Sequence, residues 1–280
     1  MLYIYFLLIF YRIFLSSILI CFDKSRNIVF PSSEDSKNTT LFIVGCGSSL
    51  NDLTANEIKF INHSDSIGIN LIVLHKQLEP RYLSIEVSEN SSNYIKDNNS
   101  KIYSRVLNEK ACNNKNLKFI INTDNFKSIK KLIPNIFELG EVNLIRQVNL
   151  PGNGVYFRRI NKYIKFWFFK KLLLPRITLG KNASIISFVY LGILRGYKDI
   201  VLCGIDLSTR YFWEDDPDNY PESSSIMNMH FQKNHNTEMT ALPVSHVLDI
   251  INQSNPDINI WITSPKSHLA NRLPIYKFNE

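Results

Sequence analysis

Five consecutive residues near the start of the chain combine residue types that bind phosphate. Residues 45–49 read Gly-Cys-Gly-Ser-Ser and follow a continuous apolar run at residues 41–44, which is typical of a strand buried on both faces of a parallel sheet. A glycine turn that leads into a helix offers unpaired backbone N–H groups and a dipole, and both favour an anion. The candidate phosphate-contacting residues are Gly45, Cys46, Gly47, Ser48 and Ser49. The alternative is a plain tight turn in which a serine caps the helix.

An acidic residue follows a second apolar run in the same way. Residues 200–203 read Ile-Val-Leu-Cys, and Gly204 and Asp206 come directly after them. A carboxylate at the end of a strand can bind a ribose hydroxyl, hold a metal ion or cap a loop, and the spacing leaves all three open. The pair Asp215–Asp216 is similarly either a divalent-ion site or a solvated acidic turn.

Two histidines are candidates for a general base. Residues 208–236 are polar and irregular and include His230 and His235. A loop of this length is usually a lid or a disordered segment. A histidine in a lid can accept a proton from a substrate hydroxyl, because its pKa lies near neutral pH. The alternative is that both are ordinary surface residues.

The elements that must position these residues alternate between strand-like and helix-like patterns. Strands are predicted near residues 65–70, 81–87, 118–121, 142–145 and 258–262, and buried helices near residues 184–196 and 237–251. This alternation predicts an α/β fold with one mostly parallel sheet and flanking helices. Ligands of such sheets bind at the C-terminal ends of the strands, which makes Asn70 and Glu86 candidate site residues by position.

Composition and charge restrict the class of protein. The chain has 280 residues, 45% hydrophobic and 20% charged, and a net charge of +7, which suits an anionic partner. Its four cysteines, Cys21, Cys46, Cys112 and Cys203, form no CxxC pair, so a zinc knuckle is disfavoured and free thiols in a reducing compartment are expected.

The N-terminal segment is hydrophobic enough to associate with a membrane. Residues 2–22 are apolar apart from Arg12 and two serines, and Lys24 and Arg26 follow. About 20 apolar residues can span a bilayer, and the positive-inside rule would keep the following domain cytoplasmic. An interfacial helix and a buried N-terminal helix are the alternatives. The predicted organisation is a membrane anchor at 1–26, a linker at 27–39 and an α/β domain at 40–280.

A second segment also indicates membrane contact. Residues 156–174 interleave six lysines and arginines with seven aromatic residues. This mixture suits a helix that lies on an anionic membrane surface. The alternatives are a core helix with snorkelling lysines and a nucleic-acid site, and no other part of the chain supports the latter.

Four motifs in a fixed order resemble a known family. They are a G-x-G-x-S-L turn at Gly45–Leu50, a segment from Ser184 to Asp206 that contains G-Y-K-D-I-x-L-x-G-I-D, an N-T-E-x-x-A-L motif at Asn236–Leu242, and S-P-x-S-x-L-A-N at Ser264–Asn271. This order resembles the bacterial sialyltransferases of glycosyltransferase family 42 and related transferases that use CMP-activated Kdo. The resemblance covers most of residues 40–275 and is loose over residues 71–180.

The resemblance implies a fold and a set of binding residues. The fold would be a single Rossmann-like domain with a lid loop, a variant of the GT-A type, here preceded by an N-terminal hydrophobic helix. The donor would be a CMP-sugar, with no cofactor and no metal. The glycine turn would lie near the CMP phosphate, although Cys46 stands where the family often has Asn. The other implied donor-binding residues are Asn70, Ser184, Gly204, Asp206 and Ser264.

The resemblance also implies catalytic residues and a reaction. The family's catalytic histidine aligns with Lys233, so His235 is the predicted base and His230 the second choice. Tyr211 matches one of two tyrosines that help CMP to leave. The implied reaction is inverting transfer of an acidic sugar to a hydroxyl of a cell-surface glycan or lipid-linked acceptor, such as lipopolysaccharide, at the cytoplasmic face of a bacterial inner membrane. The rivals are another nucleotide-dependent enzyme, such as a pyrophosphokinase-like protein, and a non-catalytic glycan-assembly protein.

Overall fold

The fold is known from a computed structural model. The structure describes residues 11, 39–85, 98–114, 117–122, 129–130, 133, 135–149, 177–180, 183–207, 210–221 and 242–278.

One parallel sheet organises the described part of the chain. Its order is β6-β5-β4-β3-β2-β1-β7-β8, and all seven neighbouring pairs are parallel. The strands are β1 Thr40–Val44, β2 Asp65–Ile69, β3 Tyr82–Ile85, β4 Lys118–Asn122, β5 Glu141–Asn149, β6 Ile177–Gly180, β7 Asp199–Cys203 and β8 Asn259–Ile262. The prediction of a single, mostly parallel α/β sheet is confirmed.

The strand order reverses between β1 and β7. Strands β1 to β6 follow one another in one direction across the sheet, and the chain then returns to place β7 on the other side of β1. In open α/β sheets a crevice forms at such a reversal, outside the carboxyl ends of the strands. The glycine turn follows β1 and the Gly204–Asp206 segment follows β7, so both lie at this point.

Helices cover both faces of the sheet. They are α1 Ala55–His63, α2 Asn98–Asn113, α3 Ile136–Leu139, α4 Ser184–Leu194 and α5 Val244–Ser254. Side chains that alternate along β1 enter different cores: Leu41 and Ile43 pack with α4 and α5, whereas Phe42 and Val44 pack with α1 and α2. This explains the continuous apolar run, because a strand between two helical layers has no solvent face.

One local prediction needs correction. Neither Ser48 nor Ser49 caps an α-helix, because a short 3₁₀ helix, Ser48–Asp52, follows the turn with no side-chain cap. The first α-helix, α1, begins later and is capped by Thr54, whose hydroxyl accepts the Glu57 N–H while the Glu57 carboxylate accepts the Thr54 N–H. This reciprocal pair satisfies two N–H groups at the helix start.

Several predicted segments lie outside the described residues. These are the hydrophobic segment at 2–22 apart from Tyr11, all of the linker at 27–39 except Thr39, and the basic aromatic segment at 156–174. Of the helices in the described ranges, none is both long and apolar enough to cross a bilayer. The membrane predictions therefore remain predictions.

Candidate functional site

Backbone hydrogen bonds join the glycine turn to the segment after β7. The Gly45 N–H donates to the Cys203 carbonyl at 2.8 Å, and the Gly47 N–H donates to the Gly204 carbonyl, also at 2.8 Å. Gly47 also forms an isolated antiparallel bridge with Tyr211. The loops that follow β1 and β7 therefore form one unit at the reversal point of the sheet.

Close approach explains the two glycines of the turn. A Cβ added to Gly45 would lie 2.3 Å from Ile205 Cδ1, and one added to Gly47 would lie 2.3 Å from Asp206 Oδ2. Gly47 has an ordinary extended backbone, with φ −67° and ψ 155°, so lack of space is the reason for glycine there. Gly204, at φ +60°, needs glycine for its left-handed conformation as well.

The carboxylate of Asp206 is bound by Ser49 through two hydrogen bonds. The Ser49 N–H donates to Oδ2 at 2.9 Å and the Ser49 hydroxyl donates to Oδ1 at 2.5 Å. Both residues are buried, with Asp206 5% and Ser49 2% exposed. The sequence left three roles open for Asp206: binding a ribose hydroxyl, holding a metal ion and capping a loop. In the structure its carboxylate joins its own loop to the glycine turn, which corresponds to the third role.

Four of the five N–H groups of residues 45–49 have partners within the protein, contrary to the expectation of free N–H groups at the turn. The N–H groups of Gly45, Gly47 and Ser49 donate to partners within the protein, and that of Ser48 donates to the Arg210 carbonyl at 3.2 Å. The sequence could not show this, because the acceptors lie about 160 residues further along the chain. The half-exposed residues of the turn are Cys46, Gly47 and Ser48.

Cys46 points toward the end of β2. Its Sγ donates to the Ile69 carbonyl at 3.4 Å, and burial raises the pKa of the thiol to about 12. Cys46 is therefore a neutral thiol at physiological pH. Asn70 directly follows Ile69, whose carbonyl accepts from Cys46, and begins a 3₁₀ helix, Asn70–Leu74.

Tyr211 lies over the turn on the loop after β7. Its ring stacks on Trp213 with centroids 4.7 Å apart and planes 5° apart. Burial, and to a smaller degree the neighbouring Cys46 and Glu214, raise the pKa of the phenol to about 12. The phenol therefore stays protonated at physiological pH and can donate a hydrogen bond.

The loop that carries Tyr211 rests on a buried histidine. Phe212 and Tyr220 lie against the ring of His75, with centroid separations of 5.0 and 6.4 Å. His75 Nδ1 accepts the Leu78 N–H at 3.0 Å and the Gln77 N–H at 3.3 Å, so it must be unprotonated. His75 belongs to no sequence motif, so its residue type and spacing did not predict this role.

The segment after β8 closes another side of the site. The Ser267 hydroxyl donates to the Ile205 carbonyl at 2.8 Å, and the His268 N–H donates to the Asp206 carbonyl at 3.1 Å. Ser264 is buried, and its hydroxyl accepts the Lys266 N–H at 3.2 Å, which is a local turn contact. Ser184 is the first residue of α4, which begins just after β6, and so lies at the same edge of the sheet.

The acidic pair on the Tyr211 loop has partners within the protein. Asp215 accepts hydrogen bonds from Asn51 and Arg210, and Asp216 caps a short 3₁₀ helix, Pro217–Asn219. Within the described ranges, no group of three His, Cys, Asp or Glu side chains is placed to hold a metal ion. His230 and His235, the predicted bases, lie outside the described residues, as does Lys233.

Comparison with known proteins gives a structural likeness but no sequence match. No family model matches the chain, and no curated protein sequence matches it significantly. A crystal structure of a variant of the sialyltransferase CST-II in complex with CMP is similar over 84% of this chain and 86% of that one. The sequences are 16% identical there and the TM-score is 0.43, so the likeness by itself assigns neither fold nor function.

Proposed function

We propose that this chain is a glycosyltransferase that moves an acidic sugar, of the sialic acid or Kdo type, from a CMP-sugar to a hydroxyl of a glycan or lipid-linked acceptor. The observation that carries the proposal is the joining of the turn after β1 to the Gly204–Asp206 segment after β7, at the reversal point of a parallel sheet. Such points are where α/β proteins bind nucleotides.

Three of the four sequence motifs support this proposal by their positions. The G-x-G-x-S-L turn, the G-I-D segment and the S-P-x-S segment follow β1, β7 and β8, which are neighbours in the sheet. Hydrogen bonds from Gly47 to Gly204 and from Ser267 to Ile205 connect them. The fourth motif, at 236–242, lies outside the described residues except for Leu242.

The proposed chemistry needs a base and a stabilised leaving group. His235, or else His230, would take the proton of the acceptor hydroxyl as it attacks the anomeric carbon. Tyr211, whose phenol is protonated at physiological pH, would donate a hydrogen bond to the departing CMP. Asn70, Ser184 and Ser264 would contact the donor. The reaction as proposed uses no metal and no cofactor.

The proposed setting is the cytoplasmic face of a bacterial inner membrane. The net charge of +7 favours an anionic donor and an anionic surface. Residues 2–22 and 156–174 would provide the membrane contact. A lipid-linked acceptor would then reach the site without leaving the bilayer.

Donor hydrolysis tests the proposal. The full chain is offered CMP-sialic acid and CMP-Kdo separately, and CMP release is measured for wild type, His235→Ala and His230→Ala. His63→Ala, which removes an exposed histidine from α1, is the matched control. We expect release from one donor, lost in one lid variant and retained in the control. Release from neither donor, with no CMP binding, refutes the proposal.

The same preparation distinguishes the rival functions. Binding of ATP or GTP in preference to CMP would identify a different nucleotide-dependent transferase. CMP binding without turnover of any donor would favour a non-catalytic glycan-assembly protein, for which Lys233 at the expected histidine position is the supporting observation.

A further inference from the structure

The glycine turn contains an anion of its own. Phosphate-binding turns present N–H groups and hydroxyls to an oxyanion. Here the Ser49 N–H and hydroxyl point to the two carboxylate oxygens of Asp206, at 2.9 and 2.5 Å. A carboxylate with two such donors occupies them as a phosphate would, and charge-assisted bonds of this kind are strong.

The position of Asp206 directly beneath the turn reinforces this arrangement. Its Oδ2 lies so close to Gly47 that an added Cβ would be 2.3 Å away. Asp206 is only 5% exposed, so water screens its charge poorly. A phosphate resting on Gly47 would face this carboxylate across a short distance, and like charges placed together repel strongly.

The nearby cations do not neutralise Asp206. In the part of the chain that the structure describes, Arg210 pairs with Asp215 and Lys266 pairs with Asp52, at 2.5 and 2.6 Å, and no ion pair reaches Asp206. The side chain between the two glycines adds no cation and no amide group, since Cys46 carries a thiol that donates to the Ile69 carbonyl. The surface around Gly47 is therefore suited to hydroxyl groups rather than to an anion.

We propose that Asp206 is a specificity-determining residue that fills the anion position of the glycine turn, so that the turn faces the uncharged ribose or sugar hydroxyls of the donor while the phosphate binds elsewhere. The identity of the donor rests on the proposed function. The exclusion of phosphate from the turn does not, because it follows from the contacts and charges around the turn, whatever the donor is.

Inorganic phosphate is the probe that tests this inference. Its affinity is measured by calorimetry at constant ionic strength for the full-length wild type, Asp206→Ala and Asp206→Asn. Alanine vacates the position, whereas asparagine removes the charge but can still accept the Ser49 N–H. We expect phosphate to bind about tenfold more tightly to Asp206→Ala and about threefold more tightly to Asp206→Asn. Unchanged or weaker binding in both overturns the inference.

A matched control separates a local effect from a change in net charge. Asp199→Asn removes one negative charge at the start of β7, at the opposite edge of the sheet, and should leave the phosphate affinity at the wild-type value. Hydrogen exchange then locates the gain: adding phosphate should slow exchange of residues 45–52 in Asp206→Ala and leave their exchange unchanged in wild type. Slower exchange of this peptide in wild type on adding phosphate overturns the inference, even if neither Asp206 variant folds.

The phosphate-binding measurements are interpreted independently of the donor assay. If wild type binds neither cytidine nor CMP, the proposed function fails, and the phosphate measurements still decide the role of Asp206. If CMP-sugar turnover is observed but Asp206→Ala and Asp206→Asn gain no phosphate affinity, only the present inference fails.

Discussion

The buried histidine beneath the Tyr211 loop should make the fold sensitive to mild acid. His75 is 5% exposed, and its Nδ1 accepts two backbone N–H groups, so protonation must break those bonds. Burial, and then the nearby Lys110, lower the pKa of His75 from 6.5 to about 4. The Lys110 ammonium donates to the His75 carbonyl at 2.8 Å, which keeps a positive charge beside the ring.

The direction and size of the effect follow from this shift. Because the pKa is lower in the folded protein than in the unfolded chain, the unfolded chain binds the extra proton first as the pH falls below 6.5. Stability is therefore fully present above pH 6.5 and is lost toward pH 4. The pKa difference corresponds to a loss of about 2 kcal/mol at pH 5 and about 3 kcal/mol at pH 4.

Urea unfolding of wild type and His75→Asn between pH 5 and pH 7.5 measures this loss. Asparagine can accept the Leu78 N–H but does not titrate, and it loses the ring contact with Phe212. We expect His75→Asn to be less stable at pH 7.5 by about 1–2 kcal/mol and to lack the acid-dependent loss. His63→Asn, at an exposed position of α1, should follow wild type throughout.

One result would refute this reasoning directly. If His75→Asn loses the same free energy of unfolding as wild type between pH 6.5 and pH 5, the histidine is not the titrating group. A wild-type stability that is flat over this range would show that His75 can be protonated inside the fold.

Two substitutions test packing and hydrogen bonding elsewhere. Gly47→Ala should lower the free energy of unfolding in urea by about 1–3 kcal/mol, because its Cβ would overlap the Asp206 carboxylate. Ser48→Ala should leave this free energy nearly unchanged, and equal effects of the two substitutions would contradict the steric explanation. Tyr197→Phe removes the hydroxyl that donates to the buried Asp65 at 3.0 Å, and it should lower the free energy of unfolding by about 1.5–3 kcal/mol. An unchanged urea midpoint would show that this hydrogen bond does not stabilise the fold.

The sequence predicts most strands of the sheet well and the edge formed by β5 and β6 poorly. The apolar runs that form β1 and β7 are buried between two helical layers, so their residue types reflect their surroundings directly. Strand β5 continues to Asn149, four residues beyond the predicted end, because residues 146–149 pair with β6. Strand β6 was missed, since a four-residue strand depends on its neighbour more than on its own sequence.

In the candidate site, too, local features could be predicted from the sequence and long-range contacts could not. The glycine turn was predicted because its spacing is a local signal, and the structure places it at the expected edge of the sheet. The role of Gly47 depends on Asp206, more than 150 residues away, and so could not be predicted from spacing. Without that contact, Gly-x-Gly-Ser-Ser indicates an empty anion site, whereas with it the same residues enclose a carboxylate. A glycine turn at a sheet reversal therefore predicts where a ligand binds, but the partners of its N–H groups decide which part of the ligand it can face.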